Sequence, residues 1–143
     1  MSAVLRVERV VAGSPGRVWS VLTDWKRQGH WMPATRVSSV DGHQVGGRIT
    51  ARTGLGPLGF VDTMTVTRWD PPRLCEVMHT GRVVRGPGSF AVEPVGPDRC
   101  RVVWEERLDL PFGMLGRAGW VLVRPLARAV FTLALRRFSA SLS

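Results

Sequence analysis

Three titratable side chains fall among apolar residues at the spacing of a β-strand. Successive side chains in a strand point to opposite faces, so residues two apart share one. On that rule Glu106 lies with Cys100, Val102, Trp104 and Leu108. Asp62 lies with Phe60, Met64 and Val66, and His79 with Cys75 and Val77. A carboxylate in apolar surroundings is driven toward its neutral form, because desolvation disfavours charge, and can then act as a general acid or base. Glu106, Asp62 and His79 are therefore the candidate catalytic residues. Each also has a plainer reading. Glu106 can pair with an arginine near a rim, Asp62 can be a structural hydrogen-bonded or ion-paired residue, and His79, just before Thr80-Gly81, can bond the backbone at a strand end.

Other side chains could serve binding rather than catalysis. Trp31 and Trp104 are the tryptophans expected to touch a ligand, the other four being read as core. With Met64, His79, Arg85, Phe90 and Glu106 they make up the expected ligand contacts. Arg85, beside Gly86-Pro87-Gly88, can reach an acidic group at a pocket mouth, whereas Arg48 and Arg52 share a face with Thr50 and read as solvated charge. Met32, Met64, Met78 and Met114 suit either a pocket that adapts to its ligand or an ordinary core. The chain has no GxSxG, no P-loop and no HExxH, and His30, His43 and His79 fall in different elements, so neither metal nor cofactor is expected. Cys75 and Cys100 fall on strands with one strand between them. Two sheet spacings separate such backbones by about 10 Å, beyond the reach of a disulfide, so two free thiols are expected.

The elements that must position these residues follow from periodicity and turn chemistry. Val4–Val11 reads as a first strand. Ser14-Pro15 supplies an N-cap and a first-turn proline for a short helix with Val18, Trp19, Val21 and Leu22 on its apolar face. Asp24–His30 continues as a second short helical turn, ended by Trp31-Met32-Pro33. Six strands follow, over 35–40, 47–53, 60–69, 73–80, 89–95 and 101–110. They are broken at Asp41-Gly42, 54–59, Asp70-Pro71-Pro72, Gly86-Pro87-Gly88 and 95–98. Short turns between consecutive strands predict an antiparallel meander. Beyond Pro111 the period is helical, and Pro125 predicts a split into a lead-in helix near 113–123 and a main helix near 125–141. One curved sheet around one long helix leaves an apolar gap between them, which is a place for a ligand.

Composition sets the outer bounds. The 143 residues, 44% hydrophobic and 22% charged, exclude disorder and suit one domain over 1–143. No uninterrupted apolar run of membrane-spanning length occurs, and the N-terminus lacks the pattern of a signal peptide, so a cytoplasmic location is expected. The net charge of +9 is unevenly placed: residues 71–111 balance, while 112–143 carry five arginines and no acid. Arg117, Arg124 and Arg128 lie within about 40° of one another on a helix, opposite Leu115, Leu122, Leu126, Val130 and Leu133. This stripe is either a solvated face or a docking surface for an anionic membrane or an acidic carrier protein. Nucleic acid is disfavoured as a partner, because no recognition motif or stacking platform accompanies the charge.

One ordered set of motifs spans essentially the whole chain. It runs through Ser14-Pro15, Val18-Trp19, Leu22-Thr23-Asp24, Trp31-Met32-Pro33, Gly46-Gly47 and Trp69-Asp70-Pro71-Pro72-Arg73, then His79-Thr80-Gly81, Trp104-Glu105-Glu106 and Leu110-Pro111-Phe112-Gly113. In this order they resemble the SRPBCC superfamily of helix-grip proteins, which includes polyketide cyclases and aromatases, START lipid-binding domains and plant pathogenesis-related proteins, and they suit its polyketide cyclase/dehydrase-like branch. The resemblance implies an α+β fold: a seven-stranded curved antiparallel sheet around a long C-terminal helix, with two short helices after strand 1. It also implies a cavity for a hydrophobic or aromatic, lipid- or polyketide-like molecule. Aromatase/cyclase relatives assist enolisation and dehydration of a polyketide with polar pocket residues. This chain has no tyrosine, so any tyrosine role in such sites has no counterpart here. A carrier or binder, a cyclase or dehydratase, and a membrane-surface accessory protein all remain open readings.

Overall fold

The computed structural model describes residues 2–55, 57–82, 84–109 and 114–142. Strand β1 (Ser2–Ala12) leads into helix α1 (Pro15–Leu22), whose N-cap Ser14 accepts a hydrogen bond from the Arg17 amide. A 3₁₀ segment follows at Trp25–His30. The meander then runs β2 (Thr35–Val40), β3 (Arg48–Leu55), β4 (Leu58–Asp70), β5 (Leu74–Thr80), β6 (Arg85–Gly96) and β7 (Arg99–Asp109). All neighbours are antiparallel, in the order β1-β7-β6-β5-β4-β3-β2. The seven-stranded sheet curves around α2 (Met114–Ser141), as the helix-grip reading implies. Cys75 and Cys100 are buried and unpaired on β5 and β7, with β6 between them.

The core forms where β1, β7, α1 and the end of α2 meet. Val18, Leu22, Val102 and Phe138 are fully buried there. Trp31 is only 2% exposed and packs against Phe138, with ring centroids 5.2 Å apart. On β4 a bulge between Val66 and Arg68 inserts one residue and flips the strand's parity. Before the bulge even-numbered residues face inward; beyond it Trp69 packs on the core, 5.2 Å from Trp19.

Two expectations need correction. The Gly86-Pro87-Gly88 break is absent: these residues pair with β5 as the first part of β6. Pro87 gives up a ladder donor there, and the glycines let other groups approach closely. At Gly86, with φ +113°, a Cβ would collide with the Arg107 carbonyl. The helix does not split at Pro125, because Pro125 and Val121 are both exposed and water can satisfy the Val121 carbonyl that proline leaves without a partner. The Leu110–Gly113 lead-in lies outside the described residues, as do the side chains of Met114 and Leu115.

Burial fixes the orientation of α2. Ala134, Leu135 and Phe138 are buried, so the C-terminal half grips the core. Farther toward the N-terminus the leucine face is divided: Leu122 is 81% exposed and Leu133 47%, while Leu126 and Val130 are partly exposed at the edge of the cavity. The arc facing the sheet is centred on Trp120, Ala127 and Phe131, with Leu126 and Val130 at its border. By length and average composition Gly116–Ser141 would also suffice to cross a membrane, although arginines interrupt every long apolar run.

Candidate functional site

Between the concave sheet and α2 lies a cavity of about 410 Å³, in the range of small-molecule sites. Its wall is largely apolar and aromatic, with Ile49, Phe60, Met64, Phe90, Trp104 and Phe131 among its residues. Trp104 stacks on Phe131 at 3.9 Å with the rings 11° from parallel, joining sheet to helix. Among the described lining residues only Asp62, His79 and Glu106 carry ionisable acid or base groups apart from the Cys75 thiol, and no lysine or arginine lines the space.

The three candidates drawn from separate strands meet as one cluster. Register explains the meeting: Met64 pairs with His79, and Gly88 lies between His79's strand and Glu106's, pairing with Glu106. His79 Nδ1 bonds Asp62 Oδ1 at 2.7 Å, and Nε2 bonds Glu106 Oε2, also at 2.7 Å. With both ring nitrogens donating to carboxylates, the ring is an imidazolium. Glu106 Oε1 accepts a further hydrogen bond from Trp104 Nε1 at 2.9 Å. The His79–Glu106 bond passes over a strand that offers no side chain: a Cβ at Gly88 would collide with Glu106 Oε2 and lie 2.9 Å from His79 Nε2.

Burial by itself would lower the pKa of His79. The hydrogen bonds and charges of Asp62 and Glu106 overcome that effect and raise it from its usual 6.5 to about 10. At neutral pH His79 is thus a poor base but a proton-bearing clamp. Cys75 also faces the cavity, and burial followed by the Glu76 charge pushes its thiol up to about 12, so it stays neutral and unreactive.

The other expected contacts divide. Met64, Phe90 and Trp104 line the cavity together with His79 and Glu106. Trp31 does not: it is part of the core, against Phe138 and Phe90, and among the described residues its indole N–H has no partner. Arg85 is exposed at the start of β6 and lines no part of the cavity. Glu106's partners are His79 and Trp104 rather than an arginine, and His79 bonds side chains rather than backbone. Met32 joins Met64 in the wall, whereas Met78 is on the outer face. Sequence reasoning passed over Gln28, which is 4% exposed and contributes to the wall. Its spacing of three from Trp25 on a helical turn was the available signal. Nothing local in the sequence marks Phe131 as a wall residue, since its partner Trp104 is distant in sequence.

A curved sheet gripping one helix around a mostly apolar cavity defines a helix-grip, START-like protein of the SRPBCC superfamily. The family described as "Polyketide cyclase / dehydrase and lipid transport" matches residues 2–143, and the chain belongs to it. Solved structures share the fold at low identity. The Zhui aromatase/cyclase from Streptomyces sp. R1128 superposes with a TM-score of 0.82 at 13% identity, covering 99% of this chain and 94% of that one. Norcoclaurine synthase from Thalictrum flavum gives 0.71 at 17%, covering 99% and 94%. A START superfamily protein from Mycobacterium smegmatis gives 0.72 at 16%, covering 98% and 99%. No curated protein sequence matches this one.

Proposed function

We propose that the protein binds a hydrophobic or aromatic small molecule, of lipid or polyketide type, between the sheet and α2. The observation that carries this reading is the apolar cavity of about 410 Å³ built around a single fixed polar cluster. Native mass spectrometry of freshly purified protein is expected to show a retained adduct that is lost on organic extraction. Absence of an adduct, together with failure to bind any hydrophobic probe, would count against it. The two unpaired cysteines fit the reducing cytoplasm, where we place the protein.

A second reading is catalytic, and the convergence of Asp62, His79 and Glu106 favours it. In a cyclase or dehydratase step, Asp62 can accept the proton leaving the substrate carbon while protonated His79 gives its proton to the developing enolate or to a hydroxyl departing as water, after which the proton on Asp62 passes to His79. Glu106→Gln beside wild type on a candidate polyketide tests this: turnover lost while binding persists supports an enzyme, and no turnover by either protein leaves the binder.

The outward leucines of α2 favour a third role, docking on an anionic membrane with Arg117, Arg124 and Arg128 supplying charge. All three arginines are exposed, and Arg128 also donates to the Arg6 carbonyl at 3.2 Å. Vesicle co-sedimentation decides it, since equal binding to neutral and anionic lipids, or none, would reject it in favour of a solvated helix or an acidic carrier protein.

A further inference from the structure

The chain carries 20 cationic residues and a formal charge of +9, yet no lysine or arginine lines its cavity among the described residues. The interior charge has the opposite sign. Two carboxylates share one imidazolium, which leaves a net single negative charge in an apolar enclosure. Both oxygens of Glu106 are engaged, by Trp104 and His79. Asp62 is different: Oδ1 is bonded to His79, while Oδ2 accepts no hydrogen bond among the described residues. The Asp62 side chain is 15% exposed and lines the cavity.

Resting on the ligand-binding reading above, we propose that the cavity selects molecules whose apolar aromatic body carries an ammonium group, received by Asp62 Oδ2, and that it excludes carboxylates. An ammonium entering the cavity meets a carboxylate with a free acceptor, so its lost hydration is repaid by a charge-assisted hydrogen bond. Phe60, Phe90, Trp104 and Trp120 line the same space, where an open aromatic face adds cation–π attraction. A carboxylate ligand would face Asp62 and Glu106 with no cationic side chain other than His79, which both already hold. Burying an anion without a partner of its own is strongly unfavourable. A neutral hydroxyl would fall between these two.

Four probes of one shape test the proposal: 2-methylnaphthalene, 2-naphthylmethanol, 2-naphthylmethylamine and 2-naphthoate, titrated calorimetrically into the full chain. The expected order is amine tightest, by roughly tenfold or more over the methyl compound, then alcohol, with the carboxylate weakest. In Asp62→Asn the gap between amine and methyl compound is expected to close. Should that variant fail to fold, the wild-type order still decides. Equal affinities for amine and methyl compound, or a carboxylate that binds best, would overturn the charge selection while leaving the cavity reading standing. No binding by any of the four would overturn both.

Discussion

Replacing Gly88 with alanine puts a methyl group where the Glu106 carboxylate now bonds His79. The expected cost is about 1–3 kcal/mol of overpacking, and His79 should titrate lower because its contact with Glu106 is disturbed. Urea unfolding and an NMR titration of the His79 ring check the two effects separately. The intact cluster also predicts a pH profile. The value of His79 is raised from 6.5 to about 10, so the stability it contributes is fully present below 6.5 and is lost as pH rises toward 10. Melting temperatures should decline across that window in wild type and stay flatter in His79→Gln. In Glu106→Gln the imidazolium keeps one carboxylate, and the loss should approach about 3 kcal/mol by urea unfolding. Alternation alone showed that Glu106, Asp62 and His79 each face inward. That they touch one another depends on the register of β4 through β7, which no local pattern encodes.

Among the elements, α2 departs most from its sequence pattern. The separation of arginines from leucines was legible, but which arc faces the sheet was not. Trp120, Ala127 and Phe131 meet the cavity, Leu126 and Val130 border it, and Leu122 and Leu133 lie outside. A hydrophobic pattern locates an apolar stripe without saying whether the domain or another surface covers it. Leu122→Ser should therefore change unfolding free energy by no more than about 0.5 kcal/mol, as for an exposed position. The same change should weaken adsorption to anionic vesicles several-fold in co-sedimentation. β2 was legible to the residue, from Thr35 to Val40. The bulge on β4 was not, because one inserted residue leaves composition and alternation on either side intact.

The whole molecule separates its charges, with cations outside and a small negative centre within. The two kinds of binding should consequently respond differently to salt. Exposed arginines are screened over a Debye length of about 10 Å at 0.1 M, so vesicle adsorption should fall steeply as salt is added. Association of a neutral aromatic probe with the enclosed cavity should change little, and calorimetry beside co-sedimentation separates the two. The fold was readable because turn residues and strand periods agreed along nearly the whole chain. The cavity's size, and the absence of lysine and arginine from its described lining, emerge only when all seven strands and the helix are in place. The pairing of Trp104 with Phe131, and of its indole N–H with Glu106, has one more consequence. The chain contains six tryptophans and no tyrosine, so its ultraviolet emission comes from indoles alone. Trp104 is held rigidly against the wall of the cavity, and a molecule entering beside it should shift or quench that emission. The protein thus carries its own optical gauge of occupancy, with which unlabelled compounds can be screened.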